Sequence, residues 1–405
     1  MSRSDTMHTE QMFHPGAAAS AEPRNLALDG FRGLMTLFVV VSHYFCEVPH
    51  GWLLFEVGWI AVIAFFVLSG FLVGRLILEK QDRANFFAVF YVRRFRRTLP
   101  VYFVCVVLVF GAIQLFAHAS WLDLRAEFPL WSYLTFTQNA FIAVSGRIGA
   151  HWLAPTWTLA VEEQFYLITP ALFFFVPRRR LPHVLMGGLV LSVAYRIIAI
   201  ATGAMPDIAV SVLLPGVADT LTCGLLAALL IKSELVDWKR YDVAFRLAPL
   251  VLLYFVLDLR MIDGPHHALF RTIGVPLVAI AAATLIINLA RGVPEAAGFS
   301  SRFLCFLGRT SYSVYLTHLA VLGLMHGLIL AAKPDLATPA QVLVTLASLP
   351  LVVLVGWIGT VLVEQPITAY GRSWRWSAHA RLARRAIGGG GGRVAGPAIG
   401  AASPA

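Results

Sequence analysis

The chain has 405 residues, of which 58% are hydrophobic and only 13% are charged, whereas ordinary soluble proteins carry about 25% charged residues. This composition excludes a water-soluble globular class and predicts a protein that folds in a lipid bilayer. The formal net charge of +10 does not indicate nucleic-acid binding, because most Lys and Arg residues lie between long apolar runs, where they orient a membrane protein. The four cysteines are scattered without metal-ligand spacing, so we predict no metal site.

The apolar runs predict an all-α fold, a polytopic transmembrane bundle of about ten spans, since a span needs roughly 20 mostly apolar residues. Lys and Arg are concentrated in alternate connecting segments, which predicts that both termini are cytoplasmic. An even number of spans agrees with that placement. The predicted spans are 33–48, 57–78, 99–117, 156–176, 183–202, 211–231, 245–258, 269–290, 310–331 and 341–363.

Three regions are expected along the chain: a cytosolic tail over 1–25, a membrane domain over 26–370, and a C-terminal tail over 371–405. The first tail lacks the features of a signal peptide. The second is basic and then Gly- and Ala-rich, which predicts disorder. The longest outer segment, 118–155, contains a polar stretch at 135–139 that either meets a substrate or belongs to a loop that caps the bundle.

Two ionisable residues share the first span, Arg32 and His43. Eleven positions are close to three helical turns, so both side chains are expected on one face, about 16 Å apart along the axis. Histidine suits general-base catalysis near neutral pH, and the arginine fork suits phosphate. The alternative is that His43 is a hydrogen-bonded core residue.

A dense basic box follows the second span, with Arg93, Arg94, Arg96 and Arg97 just before Pro100, which we expect to open the third span. The box is either a positive-inside signal that also contacts lipid headgroups or a site for an anionic ligand with several phosphates. Ser69 and Gly70, within the second span, are interpreted first as small residues at a helix–helix contact.

The fourth span begins with two adjacent acids, Glu162 and Glu163. A carboxylate beside an imidazole can orient the ring and stabilise its protonated form. The alternative is structural pairing with a cation such as Arg196, which we interpret, like Asp219, as structural. For the ninth span, with its hydroxyl-rich start and His318, the residues alone leave open a structural histidine or a donor-site residue.

Taken together, these segments resemble the acyltransferase 3 family, the integral membrane acyltransferases that include O-antigen and other polysaccharide O-acetylases. The resemblance covers about residues 25–370 and its motifs appear in family order. Ala61 and Ile63 depart from the family pattern, because they stand where the family often has Gly and then an Asp or similar polar residue. Val217 stands near the position where an Arg often precedes the sixth-span acid, and Thr158 replaces the usual Ser. The motifs are 28–33 with His43, 65–71, 93–100, 157–166 and 311–318.

The resemblance implies a bundle of ten or more helices, a cytosolic acyl-CoA donor, often acetyl-CoA, and a sugar hydroxyl as acceptor. It also implies a multi-pass protein of the bacterial cytoplasmic (inner) membrane. The family's first-span arginine and histidine correspond to Arg32 and His43, and its basic box to the four arginines at 93–97. Its key acid corresponds to Glu162, with Glu163 as the neighbour.

The resulting hypothesis places the acyl-CoA phosphates against Arg32 and the basic box, with Ser69, Tyr312 and His318 also at the donor site. His43 takes the proton of the acceptor hydroxyl or itself accepts the acyl group, and Glu162 orients His43. The partners are then acyl-CoA, a carbohydrate or glycolipid acceptor and membrane lipids. A proton-coupled transporter is the alternative, because intramembrane His, Arg and Glu also form proton relays.

Overall fold

The computed structural model describes residues 25–122, 128–233, 236–263 and 268–377, and every regular element within these ranges is helical. The predicted tails therefore lie almost wholly outside the described residues. The last helix of the described residues is short, Gln365–Arg372, and is called α11 because it follows the ten long helices. The long helices are α1 Leu26–Phe45, α2 Gly58–Lys80, α3 Phe86–Leu115, α4 Trp157–Phe175, α5 Leu181–Thr202, α6 Leu214–Lys232, α7 Trp238–Asp263, α8 Val275–Arg291, α9 Arg302–Leu330 and α10 Pro339–Gly359.

Each of the ten predicted spans overlaps one of these helices, which confirms the polytopic helical fold. Within the described ranges, eight helical segments are long and apolar enough to cross a membrane. Helices α4 and α7 fall outside that group. Polar residues account for this: α4 carries Glu162, Glu163 and Gln164 in succession, and α7 starts with charged residues. The membrane side of each terminus stays a prediction.

Two helix starts differ from the sequence-based expectation. Helix α1 begins at Leu26 because the side chain of Asn25 caps it, accepting a hydrogen bond of 3.1 Å from the Leu28 amide. Helix α3 begins at Phe86, so the expectation that Pro100 opens the third span was wrong: Pro100 lies inside the helix. The whole basic box is therefore helical, and its spacing divides it between two faces.

Small residues bring α1 and α9 into close contact. A Cβ atom added to Gly308 would overlap the carbonyl of Asp29, and one added to Gly33 would overlap the carbonyl of Leu304. Such backbone approach is a common way for membrane helices to pack. It fixes the separation of the two helices that carry His43 and His318.

The same argument applies between α2 and α6, where an added Cβ on Gly70 would overlap the Leu221 carbonyl, and one on Gly224 the Val67 carbonyl. Ser69 lies beside this crossing and is 8% exposed. The interpretation of this segment as a close helix–helix contact is therefore confirmed for Gly70.

We expect Gly308→Ala to lower the thermal stability of the purified protein, because the new methyl group forces α1 and α9 apart. The matched control is Gly187→Ala in α5, where an added Cβ meets nothing within 4 Å. That change should leave stability equal or raise it, since alanine is the better helix former by about 1 kcal/mol. Thermal unfolding in detergent measures both, and equal melting temperatures for the two variants would contradict the packing argument.

Helices α5 and α6 are joined by a buried ion pair. Arg196 donates to the two carboxylate oxygens of Asp219 at 2.8 and 2.6 Å, and the two side chains are 2% and 0% exposed. Ser192 also donates to Asp219 at 3.1 Å. Arg196 thus pairs with an acid on its neighbouring helix, not with the acids of α4, in agreement with its interpretation as a structural residue.

The outer segment between α3 and α4 forms short helices, Leu130–Leu134, Gln138–Ser145 and the 3₁₀ helix His151–Thr156. Gln138 donates to the Thr156 carbonyl at 2.9 Å, and Asn139 exchanges hydrogen bonds with Gln164 of α4. Both side chains are 1% exposed. These contacts favour the capping interpretation of the polar stretch at 135–139 over a direct role in binding.

Candidate active site

A cavity of about 120 Å³ lies among helices α1, α2, α3, α4 and α9. It gathers residues that are far apart in the sequence, and it is both cationic and apolar, with phenylalanine and leucine side chains beside three guanidinium groups. Six of the predicted site residues line it: Arg32, Ser69, Arg94, Arg97, Glu162 and Tyr312.

Glu162 lies at the centre of a polar network on one wall of this cavity. The Tyr166 hydroxyl donates to the Glu162 carboxylate at 3.0 Å, so the Ser69 hydroxyl, which is also hydrogen-bonded to Tyr166, must be the donor in that second bond. The Arg94 guanidinium lies 3.6 Å from the centre of the Tyr166 ring. Arg32, Arg94 and Arg97 all act electrostatically on Glu162.

The lining of the cavity therefore carries three guanidinium groups and the Glu162 carboxylate, and a second carboxylate, that of Glu163, acts on Arg94 from beside the cavity. Such a site favours an anionic ligand whose oxygens can accept from several guanidinium groups. Glu162 also offers a fixed acceptor that keeps the arginines in place.

The basic box has two halves with different surroundings. Arg94 and Arg97 face the cavity, whereas Arg93 and Arg96 face residues 370–376. Arg93 donates to the Trp374 carbonyl at 2.6 Å and lies over the Trp376 ring at 5.2 Å. Arg96 lies 4.0 Å from the centre of the Tyr370 ring. A spacing of three residues within α3 produces this division.

The side chain of Glu163 is hydrogen-bonded to α3, whereas that of Glu162 is hydrogen-bonded to Tyr166 within α4. One of its oxygens accepts from the Thr98 hydroxyl at 2.8 Å, and its side chain is 5% exposed. Tyr312 donates to the Thr98 carbonyl at 2.7 Å. Glu163 and Tyr312 therefore fasten α4 and α9 to the same turn of α3, beside the cavity.

His43 forms a pair with the other predicted histidine, His318. The His318 Nε2 atom lies 3.1 Å from His43 Nδ1, and the ring centres are 4.9 Å apart. His43 Nδ1 also lies 3.0 Å from the Val39 carbonyl oxygen, and His318 Nδ1 lies 2.6 Å from the Tyr315 carbonyl oxygen. His318 is fully buried, while the His43 side chain is 20% exposed.

The acid that approaches His43 is not the one expected from the sequence. Glu47 lies 3.5 Å from His43 Nε2, and Ser42 donates to the same carboxylate at 3.2 Å. The expected contact between Glu162 and His43 was wrong, because Glu162 is engaged with Tyr166 and the arginines. His318 was also expected at the donor site, but the structure places it against His43.

The histidine pair and the cavity adjoin through α9. Tyr315 lines the cavity, its ring centre lies 5.8 Å from that of His318, and its hydroxyl is hydrogen-bonded to Thr158 at 2.9 Å. Arg32 and His43 thus both project from α1 towards α9, Arg32 at the cavity and His43 at His318. The predicted common face of the first helix is confirmed.

Sequence reasoning missed three contributors to this arrangement: Glu47, Thr98 and the carbonyl of Val39. A signal existed for Glu47, since it follows His43 by four residues, the spacing at which helical side chains meet. Glu47 lies inside the predicted span 33–48, although α1 itself ends at Phe45. The contact of Thr98 with Glu163 depends on tertiary packing that no sequence pattern encodes, whereas Val39 precedes His43 by four residues in the same helix.

The family comparison agrees with this geometry. The model of an acyltransferase domain, acyltransferase 3, matches residues 25–361 and so includes every cavity residue and both histidines. The chain belongs to the acyltransferase 3 family. Membership of a family of integral membrane acyltransferases favours the acyltransferase prediction over the transporter alternative.

Similar proteins include O-acetyltransferases. A peptidoglycan O-acetyltransferase, OatA, of Listeria monocytogenes is 27% identical over 337 residues, which are 76% of this chain and 51% of that protein. A putative O-acetyltransferase of Staphylococcus aureus is 24% identical over 328 residues, 74% of this chain and 51% of the relative. The chain thus spans about half the length of these curated relatives. No solved structure matches the chain significantly.

Proposed function

We propose that the protein transfers an acyl group, acetyl in the first instance, from cytosolic acyl-CoA to a hydroxyl of a carbohydrate or glycolipid acceptor. The single observation that carries this proposal is the cavity with three arginines, which adjoins a histidine pair carried by α1 and α9, two of the five helices that form the cavity. The names of the relatives support acetyl as the transferred group and, from the Listeria protein, a glycan as the acceptor.

At the donor end, Arg32, Arg94 and Arg97 bind the phosphates of acyl-CoA, because guanidinium forks pair with phosphate oxygens. Glu162, Tyr166 and Ser69 hold these cations in position. The apolar lining beside them accommodates the thioester arm. The positive-inside pattern places this end at the cytoplasmic face, where acyl-CoA is found.

At the acceptor end, His43 removes the proton of the attacking hydroxyl. The hydroxyl oxygen forms a new bond to the thioester carbonyl carbon, and the carbon–sulfur bond breaks. The proton held by His43 then passes to the sulfur, so that free coenzyme A leaves as a thiol. The products are an O-acyl ester and coenzyme A, with atoms and charge balanced.

The test uses the purified full chain in lipid nanodiscs, radiolabelled acetyl-CoA and peptidoglycan or exopolysaccharide fragments. We expect label to appear in an alkali-labile ester on the glycan, together with one free thiol per ester. Release of free thiol without any labelled glycan, over a panel of glycan acceptors, would count against the carbohydrate acceptor. Absence of thiol release with every acyl-CoA tried would overturn the donor.

The division of the basic box makes a sharper prediction. We expect Arg94→Ala and Arg97→Ala each to raise the KM for acetyl-CoA by a factor of about ten or more, since each loses a charge-assisted bond to phosphate of about 1.5–3 kcal/mol. Arg93→Ala and Arg96→Ala are the matched controls on the same helix, because their side chains face residues 370–376. Equal KM values in the two pairs would contradict the proposed phosphate site.

A further inference from the structure

We propose that His318 is a positioning residue that fixes the proton of His43 on Nδ1 and thereby leaves His43 Nε2 as the basic atom. This inference rests on the proposed function for its kinetic consequence, but the protonation pattern itself can be measured without any turnover. It begins from two histidine rings and two backbone carbonyl groups.

The Tyr315 carbonyl oxygen sets the first proton. A carbonyl oxygen can only accept a hydrogen bond, and His318 Nδ1 lies 2.6 Å from it, so Nδ1 of His318 carries a proton. In the neutral ring the other nitrogen, Nε2, is then an acceptor. That atom lies 3.1 Å from His43 Nδ1.

The Val39 carbonyl oxygen decides the direction of the bond between the two rings. His43 Nδ1 lies 3.0 Å from this second acceptor as well as from His318 Nε2. A deprotonated His43 Nδ1 would place its lone pair against the carbonyl oxygen. A protonated Nδ1 satisfies both neighbours with a shared hydrogen bond, so His43 Nδ1 is the donor.

One consequence is chemical. Because Nδ1 is occupied on two sides, His43 can act only through Nε2, which lies 3.5 Å from the Glu47 carboxylate, towards the end of α1. When Nε2 takes a proton from the acceptor hydroxyl, Glu47 stabilises the resulting charge.

Groups on α1 and α9 surround the His318 ring, and His151 acts on it electrostatically. The ring is fully buried, Tyr315 packs against it at 5.8 Å between ring centres, and the Tyr44 hydroxyl donates to the His318 carbonyl at 2.9 Å. His318 is therefore held in one orientation by α1 and α9 together. His318 contacts His43 and does not itself line the cavity, so its effect on catalysis is transmitted through His43.

The direct test is nitrogen NMR of the full chain with ¹⁵N-labelled histidine in nanodiscs, with a His43→Ala sample used to assign the His43 signals. We expect His43 to be protonated at Nδ1 and bare at Nε2. A wild-type His43 that is protonated at Nε2 and bare at Nδ1 would overturn the proposal. Neither result depends on the identity of the acceptor or on activity.

The kinetic test compares His318→Leu with His318→Gln. Leucine removes the acceptor of the His43 proton, so we expect kcat to fall on the order of 10²-fold or more, as for other histidines held in the wrong tautomer, while the KM for acetyl-CoA stays within twofold. Glutamine retains an acceptor oxygen and should recover at least tenfold of the lost kcat. Equal kcat values for the two variants would contradict a positioning role.

A control variant separates this effect from the general cost of changing a buried histidine. His326 lies on the same helix, is equally buried, and is hydrogen-bonded to Thr345 at 2.8 Å, away from His43. His326→Leu should change kcat by no more than about threefold. This change is well below the loss of about 10²-fold expected when His43 adopts the wrong tautomer. If it lowers kcat as much as His318→Leu does, the effect is structural and the proposal fails.

Discussion

Replacement of His43 by alanine should abolish nearly all acyl transfer. A positioned general base contributes typically about 10²–10⁴-fold to a rate, and His43 is the residue whose Nε2 is free to take the acceptor proton. The loss should appear in kcat, with the KM for acetyl-CoA within a factor of two, because the arginines that bind phosphate are untouched. Initial rates of thiol release and of ester formation measure both constants.

Two further variants show whether the loss in His43→Ala is due to the missing basic nitrogen. Glu47→Gln keeps the hydrogen bond from Ser42 but removes the negative charge near Nε2, so its loss should be smaller, about tenfold. His43→Gln also lacks a basic nitrogen, so its kcat should resemble that of His43→Ala. Undiminished transfer by His43→Ala would remove the proposed chemistry while leaving the membrane fold intact.

Replacement of Asp219 by alanine should cost more stability than any other single change proposed for this protein. It leaves the Arg196 guanidinium, 2% exposed, without its bidentate partner, and breaking a buried pair in this way costs about 3–5 kcal/mol. The expected result is a large fall in the free energy of unfolding, or failure to accumulate as folded protein. Unfolding of the purified protein in mixed micelles measures it.

The chain offers a matched comparison. Asp82 forms an ion pair of 3.1 Å with Arg178, but the two side chains are 59% and 67% exposed. Asp82→Ala should therefore change the free energy of unfolding by less than about 1 kcal/mol, the usual limit for an exposed pair. A similar loss for the two variants would mean that burial of Asp219 does not govern its contribution.

The helical fold could be predicted from the sequence because bilayer thickness and the positive-inside pattern act locally on the chain. Spans such as 183–202 agree with α5, Leu181–Thr202, to within two residues. Boundaries failed where local chemistry competes with hydropathy. Charged residues at 93–97 obscured the start of α3 at Phe86, and the cap from Asn25 extended α1 beyond its apolar run.

The site could be predicted in part. Periodicity placed Arg32 and His43 on a common face, and chemistry alone selected the acids of α4. Which acid meets which cation could not be predicted, because that depends on how α4 and α9 are rotated against α1. Two contacts therefore differ from the expectation. Glu47 lies near His43 where Glu162 was expected, and His318 contacts His43 directly.

The contact between the basic box and residues 370–376 bears on how this protein should be handled. Arg93 holds the Trp374 carbonyl, and the Trp376 ring stacks on Phe86 with its centre 6.1 Å away. A purification tag or fluorescent fusion joined directly after Arg372 would replace these partners and disturb the start of α3. Junctions placed beyond Ser377, which is itself hydrogen-bonded to Asn85, leave that anchor in place.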